Sequence, residues 1–263
     1  MSRQLPLALR YPPDQRFETF VGAPPGALDQ LRALAVGQGD WLYIDGASGT
    51  GKTHLALAAC AAADALGRSA GYVPLAAAAG RLGQALEALD GMDLVAIDGL
   101  EAIAGQRADE LALFDFHNRA RAAGAGVLYA ATAAPAGLPP GLPDLRSRLA
   151  QCARIALQPL DDAGRAEVLR LRAQRRGLQF DEAAIGWLLK RSGRDLAGLT
   201  ARLDALDRAS LAAQRRVTVP FLREVLGGRG REQDAVWAHR MLLLRAGDRL
   251  TDAGLHRLEE VLD

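Results

Sequence analysis

The octapeptide Gly46-Ala47-Ser48-Gly49-Thr50-Gly51-Lys52-Thr53 constrains this chain more than any other stretch. It meets the pattern G-x-x-x-x-G-K-[S/T] at every position. Before it, Trp41-Leu42-Tyr43-Ile44 is a short apolar run that reads as a buried strand. After it, His54-Leu55-Ala56-Leu57-Ala58-Ala59-Cys60 is rich in good helix formers. Strand, glycine loop and helix are the setting the pattern requires. Glycines let the loop take positive φ and close on a phosphate chain, so that successive N–H groups point inward. The helix start adds its positive dipole end. Lys52 is expected to reach the β- and γ-phosphates, and the Thr53 hydroxyl to sit on Mg²⁺. The chain is therefore expected to bind ATP or ADP with Mg.

Asp93-Leu94-Val95-Ala96-Ile97-Asp98 is the second strong signal: four apolar residues ending in an aspartate describe a buried strand with a carboxylate at its C-terminal edge. Ligands of open parallel sheets bind at that edge. Downstream of the glycine loop this is a Walker B arrangement, with Asp98 coordinating Mg²⁺ through water. The next residue, where ATPases of this type carry a second acidic group that polarises water, is Gly99. Glu101 can substitute only if the strand end bends, and Gly99 reads as weak or absent self-catalysed hydrolysis.

Further strands are expected at 71–74, 126–131 and 153–157, and helices at 27–35, 77–89 and 108–122. Thr132 stands where a strand-end polar group reaches a γ-phosphate or its water. A short helix starts near Asp144, its expected N-cap. Alternation at this spacing gives a doubly wound parallel five-stranded α/β sheet. From Asp161 the pattern is wholly helical, roughly 161–175, 181–191, 195–213 and 218–226. The resulting division is an extended segment 1–16, a sheet domain 17–159, a helical lid 160–226, and a linker with helical tail over 227–263 to which no role is assigned.

Composition bounds the partners. With 263 residues, 49% hydrophobic, and a net charge of +1, the chain is neither a basic nucleic-acid coat nor a disordered tail. No apolar run of about 18 residues is present, so no membrane span is expected and a cytoplasmic setting is the default. Cys60 and Cys152 lack metal-ligand spacing, and the four histidines form no catalytic grouping. Gln4-Leu5-Pro6-Leu7-Ala8-Leu9 is an extended apolar peptide, either a strand laid on its own domain or a docking peptide for another protein.

Walker A, Walker B, an arginine near the end of the sheet domain and a helical lid together describe the AAA+ architecture. The runs 71–75 (GYVPL), 97–105 (IDGLEAIAG) and 141–149 (GLPDLRSRL), continued at 206–210 (LDRAS) and 213–215 (AQR), resemble the Hda family of DnaA-related regulators over about residues 4–226. The resemblance implies that Gln4, Leu5, Leu7 and Leu9 bind the DNA polymerase III sliding clamp, Gln4 by hydrogen bonding while Leu7 and Leu9 fill an apolar pocket. It implies that Arg148 is an arginine finger presented to the ATP of DnaA, raising hydrolysis there about 10³–10⁵-fold. Arg194 matches a lid arginine that contacts the chain's own nucleotide. The cofactor contacts are then Gly46 through Thr53, with His54 beside them, Asp98 and Arg194.

Two departures stand out: the glycine loop is intact where some members have lost it, and Thr132-Ala133 replaces a frequent Asp-Arg. The resulting expectation is a negative regulator of replication initiation, with DnaA and the clamp as partners and any DNA contact indirect or weak. A homo-oligomer is left open. The competing readings are a self-acting AAA+ ATPase using Asp98 and Glu101, and a DNA-binding initiator.

Overall fold

The fold is described from a computed structural model covering residues 11–12, 14–139, 141–191, 198–199, 203, 206 and 216–227. Five strands, β1 (Leu42–Asp45), β2 (Ala70–Pro74), β3 (Leu94–Asp98), β4 (Gly126–Ala131) and β5 (Ala153–Ala156), form one sheet in the order β2-β3-β4-β1-β5. Every pairing is parallel. The central strands are apolar at nearly every position because both faces are covered. Leu42, Ile44, Leu94, Ala96, Leu128 and Ile155 pack beneath α1 (Ala27–Ala35) and α2 (Lys52–Ala65). Tyr43, Val95, Ile97, Val127 and Tyr129 point the other way, into a layer with Leu82, Leu86, Phe116 and Leu149. That layer is built from α3 (Leu75–Ala78), α4 (Leu82–Glu87), α5 (Arg107–Ala122) and α6 (Pro143–Leu149). Each fully buried leucine contributes about 1.5–3 kcal/mol.

Two details depart from expectation. The helix expected over 77–89 is two short helices, because Gly80 takes φ +79° and turns the chain between them. The Asp109 carboxylate accepts the Gly80 amide at 2.7 Å and caps the restart. Asp144 is not an N-cap: α6 begins one residue earlier at Pro143, whose fixed φ suits the first helical position. Asp144 lies within the first turn instead, and Leu142 occupies the cap.

Beyond β5, Asp161 caps α7 (Asp162–Arg175), its carboxylate accepting the Gly164 amide at 2.8 Å. Next comes α8 (Glu182–Arg191), tied back by the Arg170 guanidinium, which grips both Glu182 oxygens at 2.8 Å. The helix expected at 195–213 falls mostly outside the described residues, as does the tail beyond Gly227. The chain divides into two compact units after Val219, inside α9 (Val219–Gly227). Among the described residues no helix is long and apolar enough to cross a membrane.

Candidate functional site

Parallel topology brings the C-terminal ends of β1, β3 and β4 to one edge. Asp45 pairs with Ala131, and Asp98 with Ala130, so the segments that follow these strands emerge side by side. Residues 46–51 leave β1 there and α2 starts at Lys52. A side chain at Gly46 would press to 2.7 Å from the Leu157 carbonyl oxygen. Gly51 has φ +96°, and a Cβ on it would lie 2.6 Å from the Phe20 ring. The loop is glycine-rich because it is wedged and left-handed where it turns into the helix.

Within this loop the Lys52 ammonium, almost fully buried, donates to the carbonyls of Gly46 at 2.6 Å and Ala47 at 3.0 Å. Burial pushes its pKa down, while the charges of Glu101, Asp98 and Asp45 pull it back up. Thr53 donates its hydroxyl to Asp98 Oδ2 at 2.6 Å, and Tyr72 from β2 donates to the same oxygen at 2.9 Å. Tyr72 is raised well above the usual phenol range by burial and by that carboxylate. A hydroxyl and a carboxylate meeting beside a lysine at a helix start form the donor set for a phosphate-bound divalent cation. Among the described residues no cluster of three metal-ligating side chains stands on its own. The ion's remaining ligands would therefore be phosphate and water.

The end of β3 does bend. Gly99 adopts φ +87° and a 3₁₀ turn follows over Leu100–Ala102. The turn carries Glu101 to the end of β4, where its Oε2 accepts the Thr132 amide at 3.0 Å. Thr132 thus meets the site through its backbone N–H.

Residues 11–12 and 14–20 form a strap beside the loop. The His54 ring faces this strap: Nε2 lies 2.8 Å from the Arg16 carbonyl oxygen and 3.4 Å from Thr19 Oγ1, and Phe20 packs edge-on at 5.3 Å. Desolvation, with the nearby Arg172 charge, holds His54 below the ordinary histidine pKa, against the Arg16 hydrogen bond and Asp14. Asp14 also pairs with Arg176 just past α7 at 2.7 Å.

Arg148 lies in the last turn of α6, half-buried, whereas Arg146 on the same helix is exposed. Beneath them His117 is buried, its Nδ1 3.0 Å from the Tyr129 hydroxyl. Burial, with the Arg148 and Arg121 charges, pushes its pKa down to about 4. Gln4, Leu5, Leu7, Leu9 and Arg194 lie outside the described residues.

Sequence reasoning missed Tyr72, the Asp14–Arg176 pair and the acidic pair Asp109–Glu110, both of whose members are buried. Two consecutive acidic residues at a helix start read as dipole complements. With Gln106 and Arg107 just before them, nothing local marked either one for burial.

Residues 162–226 match the family model of the Hda lid domain. Domain III of the Thermotoga maritima replication initiation protein DnaA is similar in structure, with a TM-score of 0.69 at 21% identity over 83% of this chain and 98% of that one. AMPPCP-bound DnaA from Aquifex aeolicus gives 0.63 at 20% identity, covering 76% of this chain and 67% of the other. The Thermotoga maritima RuvB Holliday junction branch migration motor gives 0.61 at 17%, covering 82% and 71%. At these identities the structural likeness is one of fold. The chain thus joins a sheet domain with the AAA+ fold seen in DnaA domain III to a segment that matches the Hda lid domain.

Proposed function

We propose that this chain binds ATP or ADP with Mg²⁺ and regulates replication initiation by acting on DnaA. The observation that carries the reading is the assembly of Lys52, Thr53 and Asp98 around the 46–51 loop, in a chain whose 162–226 segment matches the Hda lid. The AMPPCP held by the Aquifex aeolicus relative supports the choice of nucleotide. Loop amides from 47 to 53 would receive the phosphates, and Lys52 would exchange the Gly46 and Ala47 carbonyls for phosphate oxygens. Mg²⁺, when bound, supplies positive charge that neutralises the phosphates, with the Thr53 hydroxyl and Asp98 as its protein-side partners. In this reading Arg194, which lies outside the described residues, is the lid arginine assigned to the chain's own nucleotide.

In the same reading Gln4, Leu5, Leu7 and Leu9 dock on the polymerase III sliding clamp, and Arg148 serves as arginine finger on the ATP of DnaA, in the cytoplasm. Arg146, more exposed on the same helix, is the candidate to share that role. The sheet domain 17–159 and lid 160–226 form the nucleotide-responsive body, and the chain itself turns ATP over slowly because Gly99 removes the acidic residue that would follow Asp98.

A specific observation favours a second reading, a self-acting ATPase. The bend at Gly99 delivers Glu101 to the Thr132 amide and close enough to act on the Lys52 charge. One assay separates the two: hydrolysis of DnaA-bound ATP in the presence of DNA-loaded clamp, with wild type, Arg148→Ala and a Gln4/Leu7/Leu9 triple alanine. Stimulation by wild type that both variants lose is the expected result. No stimulation, together with rapid hydrolysis by this chain alone that Glu101→Gln abolishes, would replace it with the second reading.

A further inference from the structure

The buried carboxylate of Glu110 joins two loops that are far apart in sequence. Its Oε1 accepts the Gly105 amide at 2.8 Å and its Oε2 accepts the Leu142 amide at 2.8 Å. Gly105 closes the turn that begins at Asp98. Leu142 is the N-cap residue of α6 and brings no capping side chain of its own, so Glu110 supplies the acceptor that the helix start lacks. The approach is tight: a Cβ on Gly141 would fall within 2.0 Å of Glu110 Oε1. Residue 110 is only 6% exposed, and a carboxylate so buried is tolerated because both oxygens receive N–H donors.

The other end of the 98–105 segment lies in the candidate nucleotide site. Asp98 holds the Thr53 and Tyr72 hydroxyls, and Glu101 holds the Thr132 amide. Between the two ends Leu100 and Ile103 are buried in the core, so the segment moves as a packed piece rather than as a slack loop. α6 in turn is fixed by Leu145 and Leu149 and carries Arg146 and Arg148.

We propose that Glu110 is a positioning residue that couples the state of this chain's own nucleotide site to the start of α6, and so to the display of its arginines. The inference rests on the reading above, in which residues 46–53 take a nucleotide and α6 presents the finger. When Lys52, Thr53 and Asp98 re-form their contacts around phosphate, the segment ending at Gly105 shifts against the Glu110 carboxylate, and Leu142 follows on its second oxygen. Asp109 provides an internal control. It is the adjacent residue, equally buried, and also accepts backbone amides, but those of Gly80 and Leu82 at α4.

Amide hydrogen exchange of the full chain with and without ADP and Mg²⁺ tests this, alongside fluorescence titration of a labelled ADP. In wild type, ADP is expected to change exchange over residues 142–146 about fivefold or more. Glu110→Gln is expected to bind ADP within about threefold of wild type and to lose the ADP-dependent change at 142–146. Gly141→Ala perturbs the same contact from the other side and is expected to act likewise, whereas Asp109→Asn should keep the response. ADP binding to wild type without a response in α6, or a full response in folded Glu110→Gln, overturns the coupling alone. Absence of ADP binding by wild type overturns the nucleotide reading and the coupling with it. A coupling that persists in a protein unable to stimulate DnaA would remove the finger assignment and leave the coupling standing.

Discussion

The 46–51 loop and the α6 helix are both short segments, yet they are held by different means. The loop's side-chain hydrogen bonds run to its neighbours in sequence: Lys52 reaches back to Gly46 and Ala47, Thr50 donates to Ala47 at 2.9 Å, and the glycines supply the turn. α6 is fixed from a distance, its cap coming from Glu110, 32 residues upstream. A locally determined segment survives as a recognisable pattern. A remotely determined one looks, in sequence, like an ordinary amphipathic stretch preceded by proline.

That contrast can be broken at either end. The largest effect is expected from Lys52→Met, which keeps the stem and removes the charge. Nucleotide affinity should fall on the order of a thousandfold, with α6 untouched, as read by titration and by thermal melting without ligand. Next is the histidine under α6. The unfolded chain protonates His117 near pH 6.5, but the folded protein does so only near 4. Its contribution to stability is therefore complete above pH 6.5 and is lost as pH falls from 6.5 towards 4, by about 3 kcal/mol in all. Denaturant unfolding across that range should show the slope, and His117→Phe should flatten it. A slope that survives the substitution would assign the acid sensitivity elsewhere.

Asp109→Asn comes third. The change trades one charge-assisted acceptor for an amide whose own hydrogens point at backbone donors, and about 2 kcal/mol of stability should go. Asp144→Ala is the smallest. A true N-cap would lose about 1 kcal/mol, but a residue in the first turn acting only through the helix dipole should lose about 0.3 kcal/mol. A loss of the larger size in urea melts would restore Asp144 as the cap.

The same distinction explains what could be read without coordinates. Five strands, the order of motifs, Asp98 at a strand end and the helix Ala27–Ala35 were legible, because each follows from local pattern and length. The split of the 77–89 helix was not. Gly80 alone costs a helix about 1 kcal/mol, and its decisive partner, Asp109, is 29 residues away. Glu101 was legible only as a condition, since the bend at Gly99 depends on a positive φ that glycine permits but does not require. Tyr72 was invisible as a site residue because its partner is set by strand pairing: it sits opposite Ala96, two positions from Asp98. The placement of His54 against Arg16 and Thr19 likewise needed the strap to be in position.

The strap carries a practical consequence for anyone who shortens this protein. Phe20 fills the space over Gly51, Thr19 and Arg16 hold the ring of His54 on the first turn of α2, and Tyr11 donates to the Ala70 carbonyl at 3.3 Å. A deletion that stops at residue 10 removes the candidate docking peptide and leaves these contacts whole. One that runs on to residue 20 strips the backing from the helix that carries Lys52. The second protein would lose nucleotide for reasons unrelated to docking, and its silence would be misread as evidence about the clamp.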